Sequence, residues 1–146
     1  MKTLLSILVC LAGITSATVA QKIAEAQVPA AVATAFHAKF PAAKDLKWET
    51  KKDQFKAEFK VGSRAHDAWL DKTGTITKHK EDFPKSELPE AVKKQVATSF
   101  KEYQIDDADK IETGGVVLYQ LKLKDTKGER KVLFTADGHV KENNVD

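Results

Sequence analysis

The sequence predicts an α+β fold in which two tandem helix-plus-four-strand repeats form an antiparallel sheet with the helices on one face. Three observations carry this. A short pattern recurs, Val28-Pro29-Ala30-Ala31-Val32 returning sixty positions later as Leu88-Pro89-Glu90-Ala91-Val92. Apolar residues after each copy follow the period of a helix, and further on they alternate with polar ones at the period of a half-buried strand. The offset grows to 64 later in each copy, where Phe55-Lys56-Ala57-Glu58-Phe59 lies over Tyr119-Gln120-Leu121-Lys122-Leu123 and Gly74 lies over Gly138. Residues 21–84 and 85–146 are read as the two repeats.

Before them, residues 1–20 have the plan of a secretory leader. Lys2 gives a positive start, Leu4 to Ala12 form an apolar core, and Thr18-Val19-Ala20 offers small residues before a cleavage point at Ala20|Gln21. The apolar run is shorter than the roughly 20 residues that cross a bilayer, so cleavage is expected and no membrane insertion after it. Cys10, the single cysteine, lies inside the apolar core rather than behind it, which argues against lipidation. The cleaved chain would have no disulfide and would hold together by core burial.

Each repeat opens with a helix. Val32, Phe36 and Phe40 recur at i, i+4 and i+8, and Val92, Val96 and Phe100 do the same. Pro29 and Pro89 suit a first helical turn, where a missing N–H costs nothing. Pro41 disfavours the helical conformation in the residue before it and ends the first helix.

Strands follow. Leu46 and Trp48 mark a first short strand in one copy, with Trp48 expected in the core, and Ile111 marks its counterpart in the other. From Gln54 to Val61, Phe55, Ala57, Phe59 and Val61 alternate with Gln54, Lys56, Glu58 and Lys60. Tyr119, Leu121 and Leu123 alternate in the same way. Asp71-Lys72-Thr73-Gly74 and Thr135-Ala136-Asp137-Gly138 each place Gly where a type I turn with a bulge needs a left-handed residue. With that turn Leu70 falls opposite Ile76, and Phe134 opposite Val140. Ala68, Leu70, Val132 and Phe134 then face the helices, and Trp69 and Leu133 face away.

Charge and motifs exclude more than they assign. The net charge is +3, with lysines interleaved among acids. No basic cluster suits a phosphate backbone, so no nucleic-acid partner is expected. The chain has no metalloprotease helix motif, nucleophile elbow, glycine-rich phosphate loop or cofactor signature, and Gly114-Gly115 reads as a turn. In the register above, His79 lies across from Asp67 on the open face. That pair reads either as a solvated cross-strand contact or as a tuned, pH-sensitive one. Trp69 has two readings as well, an interface anchor on the open face or a core residue. As an anchor it would head a protein-binding patch with Asp67, His79, Leu118 and Leu133.

A secretory leader followed by V/L-P-x-A-V…F, a lysine-rich alternating strand and an F/L-D-x-x-G-type hairpin resembles the PepSY-like proteins. The matching pieces are Val28-Pro29-Ala30-Ala31-Val32, Leu70-Asp71-Lys72-Thr73-Gly74, Leu88-Pro89-Glu90-Ala91-Val92 and Phe134-Thr135-Ala136-Asp137-Gly138. The last departs from the pattern, with Thr135 where the first hairpin has Asp71. The resemblance spans about residues 28–142. It implies an exported, periplasmic or secreted protein of a Gram-negative bacterium with a β-lactamase-inhibitor-like fold. The wider PepSY group includes propeptide domains of thermolysin-type metallopeptidases, which implies peptidase inhibition; the resemblance brings no catalytic residues.

Together these readings make the chain a non-catalytic, exported binding protein, with no cofactor, whose partner is an envelope or secreted protein such as a hydrolase. The alternative is a small-ligand or metal-responsive protein using His66, His79 or His139.

Overall fold

The computed structural model describes residues 19–145. Of the expected leader, including Cys10, only Val19 and Ala20 are among the described residues, and both are exposed. The elements are β1 (Gln21–Ile23), α1 (Ala30–Lys39), β2 (Lys44–Lys51), β3 (Gln54–Val61), β4 (Arg64–Asp71) and β5 (Ile76–Asp82), then α2 (Glu90–Ser99), β6 (Gln104–Thr113), β7 (Val116–Lys124), β8 (Glu129–Thr135) and β9 (Val140–Val145). All nine strands pair with their chain neighbours in one antiparallel sheet. A one-turn 3-10 helix precedes each α-helix, at Glu25–Gln27 and Lys85–Glu87.

The helices start alike. Pro29 and Pro89 stand at the N-cap rather than inside the first turn, each at φ −54° and ψ 139°. The helices also end alike, with the Phe40 N–H donating to the Phe36 carbonyl and the Phe100 N–H to that of Val96. Tight hairpins need left-handed residues, and Gly114 and Gly115 supply them between β6 and β7 at φ 56° and 76°.

Residues opposite one another in an antiparallel pair share a face. Trp48, Ala57, Ala68, His79 and Glu112 form one such row across β2 to β6. His66, Glu81, Lys110, Tyr119 and Phe134 form the next row, across β4 to β8. Both rows lie on the face that the helices cover. α1 packs Val32, Phe36 and Phe40 on Trp48, Ala57, Phe59, Ala68 and Leu70. The Phe36 ring is fully buried, 5.1 Å from Trp48 and 4.9 Å from Phe59 in edge contacts; burying such a side chain contributes about 1.5–3 kcal/mol. α2 packs Val92, Val96 and Phe100 on Tyr119, Leu121, Leu123, Val132 and Phe134. The sheet thus carries two hydrophobic cores side by side, one under each helix.

Three details differ from the sequence reading. β1 has no counterpart in it, being three residues that extend the sheet beside β2. The strands expected to be short, β2 and β6, are eight and ten residues long. The third is a correction to His79, which lies opposite Ala68 on the helix face, while Asp67 lies opposite Lys80. Leu70 does pair with Ile76, but the register then shifts so that Trp69 pairs with Lys78. Thr77 is the extra residue of a second bulge beyond the turn, and one extra residue moves everything after it to the other face. Side chains tie this bulge in place, for the Thr77 hydroxyl donates to the Trp69 carbonyl at 3.2 Å and the Thr113 hydroxyl donates to the Thr77 carbonyl at 3.2 Å.

Candidate functional site

The sheet face away from the helices has no element over it among the described residues. Near its middle stands Trp69, opposite Lys56 on β3 and Lys78 on β5. The two ammonium groups flank the indole, Lys78 Nζ 4.7 Å and Lys56 Nζ 5.5 Å from the ring centre. Contacts of this kind contribute about 0.5–1 kcal/mol each at exposed sites, and they leave the ring half-buried, with a fixed orientation.

Carboxylates bracket Lys56 in turn. Lys56 Nζ lies 2.6 Å from Glu58 and 3.5 Å from Asp67. Burial pulls the Lys56 ammonium down, but the Glu58 hydrogen bond and the Asp67 and Glu58 charges together hold it above its ordinary value. Lys80, opposite Asp67, reaches Asp109 at 3.0 Å. Asp109 is pushed up, chiefly by burial and further by Asp107 and Asp82, against the pull of Lys80.

Leu118 and Leu133 occupy the same face further along and are half-buried. Leu118 lies opposite Ile111, and Leu133 opposite Gln120 and Glu142. Ile111 is 6% exposed despite facing away from the helices. It was missed as a face residue because its surroundings, Asp-Lys-Ile-Glu-Thr, have no second apolar residue to show alternation. Trp69 on β4 and Leu118 on β7 are three strand spacings apart, or about 14 Å. The expected patch is therefore two islands, an indole between Lys56 and Lys78 and an aliphatic group of Ile111, Leu118 and Leu133, with Lys80 and Thr113 between them.

His79 belongs to neither island. It sits on the helix face with its ring 5.0 Å from that of Phe40. His139 is exposed beside Asp137, and His37 pairs with Glu25 at 2.6 Å. No group of three His, Cys, Asp or Glu side chains able to hold a metal occurs among the described residues. A concavity of about 710 Å³ opens at the β2–β4 end of the sheet, lined by Asp45, Glu58, Lys60, His66 and Asp67 among others. Its carboxylates are engaged, Asp45 with Lys60 at 3.3 Å and Glu58 and Asp67 with Lys56. Glu58 is held below the usual carboxylate range, chiefly by its hydrogen bond to Lys56.

Comparison with known proteins places this arrangement in context. A family model described as "Putative beta-lactamase-inhibitor-like, PepSY-like" matches residues 16–66 and 53–142. Several solved structures share the fold. A DUF2874 family protein of Bacteroides uniformis superposes with a TM-score of 0.73 at 17% identity, over 80% of this chain and 88% of that one. A protein of Bacteroides eggerthii described as "putative periplasmic" gives 0.74 at 18% identity, over 81% and 88%. A BLIP-like protein of Bacteroides fragilis gives 0.69 at 18% identity, over 79% and 84%. No curated protein matches the sequence. No helix among the described residues is long and apolar enough to cross a membrane.

Proposed function

The chain belongs to the beta-lactamase-inhibitor-like, PepSY-like family, and from that premise we propose that it is a non-catalytic module gripping a protein partner with the helix-free face of its sheet. The observation that carries this reading is Trp69, a half-buried indole held between Lys56 and Lys78 on a face that no element among the described residues covers. Aromatic side chains held rigid in a polar surround are the usual anchors of protein interfaces. The aliphatic island of Ile111, Leu118 and Leu133 offers a second contact, and the paired charges between supply a polar rim.

The two repeats, 21–84 and 85–146, are read as contributing one island each. The partner class we infer is a hydrolase of the cell envelope or its surroundings, which fits the leader-like first twenty residues and the family's inhibitor-like description. A protein inhibitor needs a rigid surface complementary to its target and no chemistry of its own.

The test starts from Trp69→Ala. Lys56 and Lys78 remain on the sheet and the cores under the helices are untouched, so the melting temperature should fall by no more than about 8 °C, the loss of two contacts of about 0.5–1 kcal/mol each. Partners captured from periplasmic extract should then bind the variant at least tenfold more weakly by calorimetry, a hot-spot loss of about 1.4 kcal/mol or more. Unaltered binding by Trp69→Ala together with Leu118→Ala would remove this face from the function. Hydrolase activity in the extract, assayed with and without the protein, separates inhibition from plain binding.

A further inference from the structure

Between the two cores the sheet is held differently. Among the interior strands described, β5 alone has no buried side chain, although it joins the half under α1 to the half under α2. Beyond Ile76, which packs against the core under α1, its helix face presents His79 and Glu81. The His79 ring lies parallel to that of His66 on β4, within 4°, and Nε2 of His79 is 3.1 Å from Nδ1 of His66. At that distance one nitrogen donates and the other accepts. The pair can hold one added proton, but a second would turn the bond into two cationic N–H groups facing each other.

The surroundings pull both ways, with burial the larger effect. His66 stacks on Phe59 of β3 at 5.2 Å, and His79 lies against Phe40 at the end of α1. Glu81 on β5 lies 3.8 Å from His66 Nδ1, and Glu112 on β6 lies 3.9 Å from His79 Nδ1. Both carboxylates are already bound to Lys110 on β6, at 3.4 and 2.8 Å. Arg64 on β4 opposes a charge on His66, and Lys39 of α1 draws on Glu112. Glu81, then Asp67 and Asp82, favour a charged His66, and Glu112 and Glu81 a charged His79, but more weakly than burial disfavours it, and Lys110 opposes the charge on His79.

We propose that the His66–His79 pair is a proton-operated latch on the seam between the two helix-covered halves, closed while the pair is neutral and loosened as it charges. Burial sets the direction, holding both imidazoles below their ordinary value of 6.5, with His66 lowering His79 further. Unfolded imidazoles bind protons near 6.5, so just below that pH the unfolded or opened state holds more protons than the closed one. Stability is therefore full above about 6.5 and is lost as the pH falls toward the depressed values. The paired carboxylates Glu58 and Glu112, held low chiefly by their lysine hydrogen bonds, act in the same direction only at more acid pH. Asp109, pushed up by burial, works in the opposite sense.

The test is amide hydrogen exchange, read as protection factors between pH 7 and 5. The opening constant of the β4–β5 ladder, which the pair spans, should rise by up to about a hundredfold per pH unit, a factor of ten for each imidazole that titrates. In His79→Gln, which keeps a hydrogen-bonding partner for His66, the rise should shrink to about tenfold. Should the variant fail to fold, imidazole resonances of the unaltered protein decide: two coupled titrations below 6.5 support the latch, and independent titration at 6.5 overturns it. Acid-induced opening confined to β1 and β9 also overturns it, as does a pH response abolished by a chelator, which would make the pair a metal site.

Discussion

Gly74 closes the turn between β4 and β5 at φ 88°, and a Cβ built on it would stand 2.6 Å from the carbonyl oxygen of Ala31 in α1. Two demands meet at this residue, a left-handed backbone and the close approach of a helix. Gly138 repeats both at φ 87°, with the Ala91 carbonyl of α2 at 2.6 Å. Gly62, between β3 and β4, has only the first, at φ 61° with nothing within 4 Å. Gly62→Ala should then cost the strain of a left-handed alanine, roughly 1–2 kcal/mol. Gly74→Ala adds backbone displacement of α1 and should cost upwards of about 3 kcal/mol. Urea midpoints at constant m-value measure both. Equal losses would mean that the turn does not bear on α1, and that the glycine answers to its φ alone.

At the scale of the element, the bulge in β5 decides which residues form the outer face. The register between β3 and β4 is regular from Gln54 opposite Asp71 to Val61 opposite Arg64, so alternation alone suffices to place Trp69. A bulge is an added residue with no sequence marker, and counting from the turn without it puts His79 across from Asp67. Deleting Thr77 separates the two registers. In the bulged strand the deletion leaves Trp69 opposite Lys78 and keeps every face, at the loss of two side-chain hydrogen bonds, about 2 kcal/mol. In an unbulged strand it would turn His79 and Lys80 to opposite faces and abolish folding. Cooperative melting of the deletion variant, shifted by several degrees, is expected. The helices and the long alternating strands were legible because burial imposes their periods on the sequence. β1 was not, since three residues carry no period, and Ile111 was not, since the side chains covering it come from other strands. The His66–His79 bond is likewise invisible in sequence, because it depends on the bulge.

In the whole molecule, the two cores are joined through β5, its ladders to β4 and β6 and polar side chains rather than through shared buried residues, and this should make unfolding separable. Leu121 is fully buried under α2, opposite Ala108 and Val132, so Leu121→Ala should cost about 2–5 kcal/mol. If the seam couples the halves less strongly than that, the α2 half unfolds first while the α1 half persists. The placement of the chromophores makes the outcome readable. Both tryptophans, Trp48 and Trp69, lie in the half under α1, so fluorescence reports that half alone, whereas far-ultraviolet circular dichroism reports the whole sheet. In the Leu121→Ala variant the dichroism should begin to fall at lower urea than the fluorescence. At pH 5 the gap should widen, because charging the imidazole pair weakens the joint between the halves and leaves both cores intact. Coincident transitions at both pH values would show that nine hydrogen-bonded strands transmit the loss across the seam, and that the molecule folds as one unit despite its two cores.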